Sequence, residues 1–358
     1  MERGAWHRMI FSVIVPVHNA EKYIKELMDC IIPQLGKSGM DAELILIENG
    51  STDNSPAICD EYAAGNPFVF CYHYGKIGAY AARKEGIKKS MGQWLIFVDA
   101  DDILVDTAIE DICRGLTDAS IAHRPLDIIL YNAATSSNPS KRKFNFPFEE
   151  NKVYHGASKD SFYKVMCEGD SLNAMWNKCV KRELAIEVLL DDRDMFLNYG
   201  EDLLQTAAFL DKARGIVYLD KILYIYRPNE KGLTGGYHIE YLPNQETAWN
   251  KFDSYVKKWG GERFVTTVDR RKSLTCSIAI AKLIYSDQPI SVKMSELSNI
   301  FNSEFYKRYS QMPLPDWAPD ESKDVHRLQI SKGAMQKLFL SGVKYSAKSV
   351  AKRAIKRK

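Results

Sequence analysis

The chain has 358 residues, 45% of them hydrophobic and 27% charged. These are globular proportions, with length for one large domain plus an appendage. No run approaches the ~18 apolar residues of a membrane-spanning helix. The opening MERGAWHRMI leads into a strand without a signal-peptide core, so secretion is not expected. Seven cysteines, at 30, 59, 71, 113, 167, 179 and 276, form no CxxC pair. They read as the thiols of a reduced cytoplasmic protein without a thiol metal site. The net charge of +3 is unevenly placed. Residues 332–358 hold nine Lys or Arg and no acid, which leaves the other 331 residues at −6.

In chain order, FSVIVPV at 11–17 is a β-branched run that reads as a buried first strand. Asn19 follows as a helix N-cap, and Tyr23, Ile24, Leu27, Ile31 and Leu35 fall on one helical stripe. The pattern repeats: a strand over 42–47, a turn at Asn49-Gly50 and a helix from about Asn54. A third apolar run spans 68–72. A helix is expected over 77–90, and Gly92 breaks it before WLIFVDADD at 94–102. Strands alternating with helices of this length imply βαβ units and a parallel sheet.

WLIFVDADD is where this pattern meets chemistry. An apolar run reads as a strand covered on both faces. It ends in Asp99, Asp101 and Asp102, and ligands of open α/β sheets bind just beyond the carboxyl ends of the strands. Clustered acids repel one another unless a cation sits between them, and an oxygen-only donor set suits Mg²⁺ or Mn²⁺. Taken alone, the stretch reads more simply as an acidic turn capping the next helix, expected over 103–115. No GxGxxG follows the first strand and no GxxxxGK[ST] occurs anywhere, so dinucleotide-binding and P-loop readings lose their main support.

VIVPVHNAEKYI, LILIENGSTDNS and KIGAYAARKEGIKKSMGQWLIFVDADD, taken together in this order, resemble the nucleotide-sugar domain of family 2 glycosyltransferases, which have the GT-A fold. The resemblance implies donor contacts at Pro16, Val17, Asn19, Glu48, Asp53, Arg83, Asp99, Ala100 and Asp101. Pro16 would line the base pocket, Asp53 would hold the turn and Arg83 would face the diphosphate. Asp99 and Asp101 would form the Asp-x-Asp pair that contacts ribose and metal, with Asp102 either a second metal contact or a helix cap. Two positions depart from the family pattern. Glu48 stands where an Asp is usual, and Lys84 follows Arg83 where an Asn is common.

Beyond residue 120 the pattern changes. LDIILYNAAT is another strand, and 135–147 a polar, basic hairpin or loop. AMWNKCVKRELA at 174–185 resembles the family's Trp-Asn-Lys segment on the acceptor side. This implies that Trp176 and Lys178 contact the acceptor, the ordinary alternative being a packed Trp and a solvated Lys. In MFLNYGEDLLQTAAFL, Leu203, Ala207 and Leu210 form a helical stripe, which sets Glu201 and Asp202 in a first turn, where any helix favours acids. The family places its general base in such a pair. The resemblance therefore implies Asp202 as base, with Glu201 supporting it or binding the acceptor. Tyr224, Tyr226 and Arg227 alternate in a last strand, and a glycine-bearing loop runs on to His238. That loop resembles the segment that closes over the donor and excludes water, and His238 is a candidate metal or diphosphate contact.

Residues 240–310 read as helical without a catalytic constellation, and QMPLPDWAPDES as a proline-rich linker. The basic tail is expected to form an amphipathic helix with Phe339, Val343, Val350 and Ile355 on one side, a pattern that suits an anionic membrane surface. Base-stacking aromatics for nucleic acid are thin there. The expected fold is α/β, with a mostly parallel central sheet and a C-terminal helical extension. The expected domains are 9–235, divided into a nucleotide-sugar half at 9–115 and an acceptor half at 116–235, then helices over 236–330 and a basic tail over 331–358. The expected activity is inverting, Mn²⁺- or Mg²⁺-dependent transfer from a UDP-linked sugar to a glycan or lipid-linked acceptor. It would take place in the cytoplasm or at the inner face of the membrane. A nucleotidyltransferase and a non-catalytic nucleotide-sugar-binding protein are the alternatives.

Overall fold

The computed structural model describes residues 11–35, 37, 41–118, 124–191, 197–228 and 236–356, with the side chains of 190–191 and 348–356 left aside. The chain divides into two compact units, residues 1–166 with 170–228, and residues 167–169 with 229–358.

The first unit opens as three βα repeats and a fourth strand: β1 (Phe11–Val17), α1 (Ile24–Leu35), β2 (Ala42–Asn49), α2 (Ser55–Gly65), β3 (Val69–Tyr74), α3 (Gly78–Lys89) and β4 (Trp94–Phe97). These strands run parallel in the order β3-β2-β1-β4. All but one residue of β1 and every residue of β2 and β4 are buried, which is why they read as unbroken apolar runs. Each fully buried Val or Ile contributes roughly 1.5–3 kcal/mol. Gly86 lets α3 lie close on β1, since a Cβ there would meet Ile14 Cγ2 at 2.3 Å.

The second half of the unit holds β5 (Ile103–Leu104), α4 (Ala108–Thr117), β6 (Ile128–Thr135), β7 (Val153–His155), α5 (Asp160–Glu168), β8 (Lys178–Lys181), α6 (Arg182–Asp191), α7 (Glu201–Lys212) and β9 (Gly215–Tyr226). The sheet continues in the order β4-β8-β6-β9-β5, with β7 also paired to β9. The short β8 runs antiparallel to both β4 and β6, so the sheet is mixed, while β6 and β9 are parallel. The expected α/β architecture with a mostly parallel core is what the strands form.

Two local expectations are corrected. Asn19 does not cap α1, which begins five residues later. Its backbone is left-handed, φ 52°, and its side chain accepts from the Thr52 N–H at 2.8 Å. It therefore stitches the β1 end to the turn after β2. The helix after the acidic stretch begins at Ala108 rather than 103, because β5 comes first and Thr107 is the N-cap. Asp102 is thus no helix cap.

The second unit is helical: α8 (Tyr241–Gly260), α9 (Val265–Ile284), α10 (Ile290–Asn302), α11 (Glu304–Tyr309), α12 (Asp320–Gln329) and α13 (Ala334–Lys356). α9 is buried on most of its surface, including Lys272, whose ammonium is held by Asp253 at 2.7 Å and Asp269 at 3.1 Å. Residues 311–319 break the helices, where Pro313, Pro315 and Pro319 predict a linker. The tail is helical as expected, but its first half is packed. Leu338 is fully buried, and Ser346 receives a 2.9 Å hydrogen bond from Lys293 Nζ on α10. The burial centre is Leu338 with Gly342, and Phe339 and Val343 lie half-buried beside it. Val350 and Ile355 fall outside the described side chains, and most of the expected closing loop, 229–235, falls outside the described residues.

Candidate active site

Asp99 and Asp101 leave the end of β4 in a tight turn closed by the Asp102 N–H to the Asp99 carbonyl, 3.1 Å. Asp102 points the other way. It is 1% exposed, accepts from Tyr224 Oη at 2.6 Å and from the Arg227 N–H at 2.7 Å, and so fastens the turn to the end of β9. Burial, then the charge of Asp99, pushes its carboxyl up to about 8. Each of its oxygens thus accepts one hydrogen bond from β9 or the residue just after it. Arg227 completes the fastening by donating through Nε to the Asp101 carbonyl at 2.6 Å. Tyr224 and Arg227 were legible only as an aromatic-x-aromatic-Arg strand end; their work on the acidic turn depends on β9 lying next to β5.

Arg83 joins the strand end to α7. Its guanidinium is 4% exposed. Nη1 lies 2.6 Å from Asp202 Oδ1 and 3.7 Å from Glu201 Oε1, and Nη2 lies 3.3 Å from Asp99 Oδ1. Burial pulls the guanidinium pKa down, but Asp202, Asp99 and Glu201 together push it up. Three carboxylates around one cation leave an excess of negative charge. Asp99 is raised by withdrawal from water and by Asp202 and Asp101, against the pull of Arg83. Glu201 is pushed up to about 8, first by burial and then by Asp202. Gly200, at φ 81°, makes the left-handed turn that starts α7 and aims both acids at Arg83; a side chain there would be strained. Lys84, next to Arg83, turns away onto the Tyr80 ring.

The neighbouring strand ends form a second layer. Glu48, 4% exposed, closes β2. Its Oε1 accepts from the Ser51 N–H at 2.6 Å and its Oε2 lies 3.6 Å from His73 Nδ1. Asp53 holds the following turn through the Ser55 and Glu21 N–H groups, at 3.0 and 3.1 Å. Asn49 fixes the start of α3 by accepting from the Ile77 and Gly78 N–H groups at 2.7 and 3.1 Å. Pro16 is half-buried at the end of β1, paired in register with Ile47, while Val17 is buried beside Glu48. Ala100, between the two acids, is 7% exposed.

The Trp-Asn-Lys segment is placed differently. The Trp176 ring stacks on Tyr224 at 4.5 Å between centroids and is 7% exposed. Lys178 is 1% exposed. Its ammonium donates to the Leu172 carbonyl at 2.7 Å, the Ala174 carbonyl and Asn177 Oδ1 at 2.7 Å, and burial pulls it down to about 7. Both side chains are closed into the core, the ring against Tyr224 and the ammonium against the 172–177 segment. His238 lies in the second unit, where it lines a cavity of about 210 Å³ with Tyr237, Leu242, Glu246 and Glu296.

The family model that matches the chain is Glycosyl transferase family 2, over residues 12–159. An uncharacterized glycosyltransferase of Haemophilus influenzae is 34% identical over 221 residues, 60% of this chain and 80% of that protein. The uncharacterized glycosyltransferase EpsJ of Bacillus subtilis is 29% identical over 235 residues, 65% of this chain and 64% of its own length. The chain thus spans just under two thirds of EpsJ. Among solved structures, residues 1–349 of S. aureus TarS in complex with UDP-GlcNAc share the fold at 16% identity and a TM-score of 0.52, covering 96% of this chain and 92% of that one. The acidic turn at a parallel strand end and the matched sequence agree: the chain belongs to glycosyl transferase family 2 and has an α/β GT-A fold with a helical C-terminal extension.

Proposed function

We propose that the protein is an inverting, metal-dependent glycosyltransferase that moves a sugar from a nucleotide diphosphate sugar to a hydroxyl of a glycan or lipid-linked acceptor. The observation that carries this reading is Arg83, which holds Asp99 at the strand end and Asp202 on α7 within one charged cluster. Asp202 is the general base. Its side chain is 34% exposed, and Arg83 engages Oδ1 and fixes the carboxylate's direction. Glu201 is the more buried of the two, 12% exposed, and Asp202 is the open carboxylate that takes the proton from the acceptor hydroxyl. No covalent intermediate is needed, so one base suffices and the anomeric configuration inverts.

The residues fit a hard divalent ion, since Asp101 and Asp99 offer only oxygen donors and Asp101 adds to the repulsion that raises Asp99. When bound, Mn²⁺ or Mg²⁺ supplies positive charge to the leaving diphosphate. Glu48, beside half-buried Pro16, receives a base N–H. A UDP-linked donor is the preferred class, by fold-level analogy to TarS with its UDP-GlcNAc. The basic end of α13 supports an acceptor at an anionic membrane surface; none of the described helices is long and apolar enough to cross a membrane. Removing residues 348–358 spares the packed half of α13 and should lower binding to anionic vesicles; unchanged sedimentation with vesicles would refute the membrane role.

The test is incubation with a panel of nucleotide sugars and Mn²⁺ or Mg²⁺, reading nucleoside diphosphate release with and without acceptor glycans. Release that depends on one donor and is lost with chelator is expected. Pyrophosphate exchange instead would make it a nucleotidyltransferase, and no turnover with any donor would make it a binding protein.

A further inference from the structure

A second cluster lies on the edge of the same sheet. β3 is the edge strand, and Cys71 and His73, two residues apart, share one of its faces. α2 packs on β3 and brings Asp60 to the same place. His73 Nε2 is 2.8 Å from Asp60 Oδ1 and 3.5 Å from Cys71 Sγ. Among the described residues, these are the only three His, Cys, Asp or Glu side chains whose ligand atoms all lie within 4.8 Å of one another. With Zn–S near ~2.3 Å and Zn–N near ~2.05 Å, a tetrahedral site needs a sulfur-to-nitrogen edge of about 3.6 Å, close to the distance present. The Asp60–His73 edge must open by about 0.5 Å, which the 60%-exposed Asp60 side chain can do. The other ring nitrogen of His73 faces Glu48 Oε2 at 3.6 Å, the carboxylate–histidine pairing that orients a metal-bound imidazole.

We propose that Asp60, Cys71 and His73 bind one thiophilic divalent transition ion of the Zn²⁺ class, with solvent in the fourth position. On binding, the Cys71 thiol loses its proton to solvent and forms the sulfur–metal bond. His73 binds through Nε2 and keeps its proton on Nδ1, toward Glu48. No electron changes hands. A thiolate and an imidazole select this class over Mg²⁺ or Mn²⁺, so the site differs in kind from the oxygen-only acids at Asp99 and Asp101. The ion would tie α2 to the edge strand and fix the carboxylate that closes β2.

The test is a Co²⁺ titration of the chelator-treated full chain in a phosphine reductant, followed by optical absorption. A thiolate-to-cobalt charge-transfer band saturating at one equivalent and displaced by Zn²⁺ is expected. The band is lost in Cys71→Ser, and Co²⁺ affinity falls at least 10-fold in His73→Ala and Asp60→Asn, each variant keeping the wild-type circular dichroism. The oxygen-only site cannot produce that band. Its absence in wild type, or its survival in Cys71→Ser, overturns the proposal.

Discussion

Arg83 and Lys178 are both cations withdrawn almost completely from water, 4% and 1% exposed, and their surroundings are opposite. Three carboxylates crowd Arg83, two of them about a third exposed. Lys178 is held by two backbone carbonyls and an amide oxygen. Arg83 is over-neutralised and its charge reinforced, whereas for Lys178 the field of Asp202 only partly offsets burial and its pKa falls. A buried cation ringed by excess, partly open negative charge invites a further cation and a reacting group. A buried cation in a cage of neutral oxygens ties a chain segment in place. On the proposed function, the difference sets Arg83 in the reacting cluster and Lys178 in the scaffold, although both stand in segments that resemble the same family's motifs.

Substitution tests that contrast. Arg83→Met should reduce turnover more than ~10³-fold, because it releases the proposed base and leaves three carboxylates facing one another; steady-state nucleoside diphosphate release measures it. Asp101→Ala should weaken metal-dependent donor binding by at least ~10-fold with little change in thermal midpoint, as read by calorimetric titration with and without Mn²⁺. Lys178→Met should leave donor affinity within about threefold and lower stability by about 2 kcal/mol, since three acceptors lose their donor. Its pH signature is distinctive. With a folded pKa of about 7, below the unfolded value of ~10.4, the unfolded chain holds more protons between those limits. Stability therefore rises with pH across that window, and urea titrations at pH 7 and 9 should show that rise reduced in Lys178→Met. If Lys178→Met abolished donor binding in a stable protein, the contrast would be broken.

An effect on stability alone concerns Asp127, which is 2% exposed and paired with Arg214. Burial raises its pKa, but the Arg214 side chain, at 2.6 and 2.9 Å, and the Arg214 N–H, at 2.8 Å, lower it overall. Its contribution is full above the unfolded value near ~3.9 and fades as pH falls through the lower folded value. Asp127→Asn should cost about 2 kcal/mol at pH 7, with the gap to wild type closing below pH ~4.

Much of the first unit was legible because its strands are buried on both faces and its turns carry their own signals, as at Asn49-Gly50 and Asp99–Asp102. The inversion at β8 was not, since a four-residue strand reading KCVK has no periodicity to detect. Asp102 looked like its neighbours in sequence. Its partners, Tyr224 and Arg227, stand 122 and 125 residues away, and only the β5–β9 pairing brings them together. The burial of Lys178 was hidden for a related reason: a cage of backbone carbonyls has no side-chain signature. Cys71 and His73 lacked a CxxC spacing, and their third partner, Asp60, arrives from a helix across the strand.

The most direct test of the central claim is turnover of Asp202→Asn at saturating donor, metal and acceptor. The amide keeps the shape of the carboxylate and loses the base. A fall of roughly 10²–10⁴-fold is predicted, with donor affinity close to wild type. Turnover within a few-fold of wild type would contradict the assignment of Asp202 and, with it, the reading of the Arg83 cluster as the reacting centre.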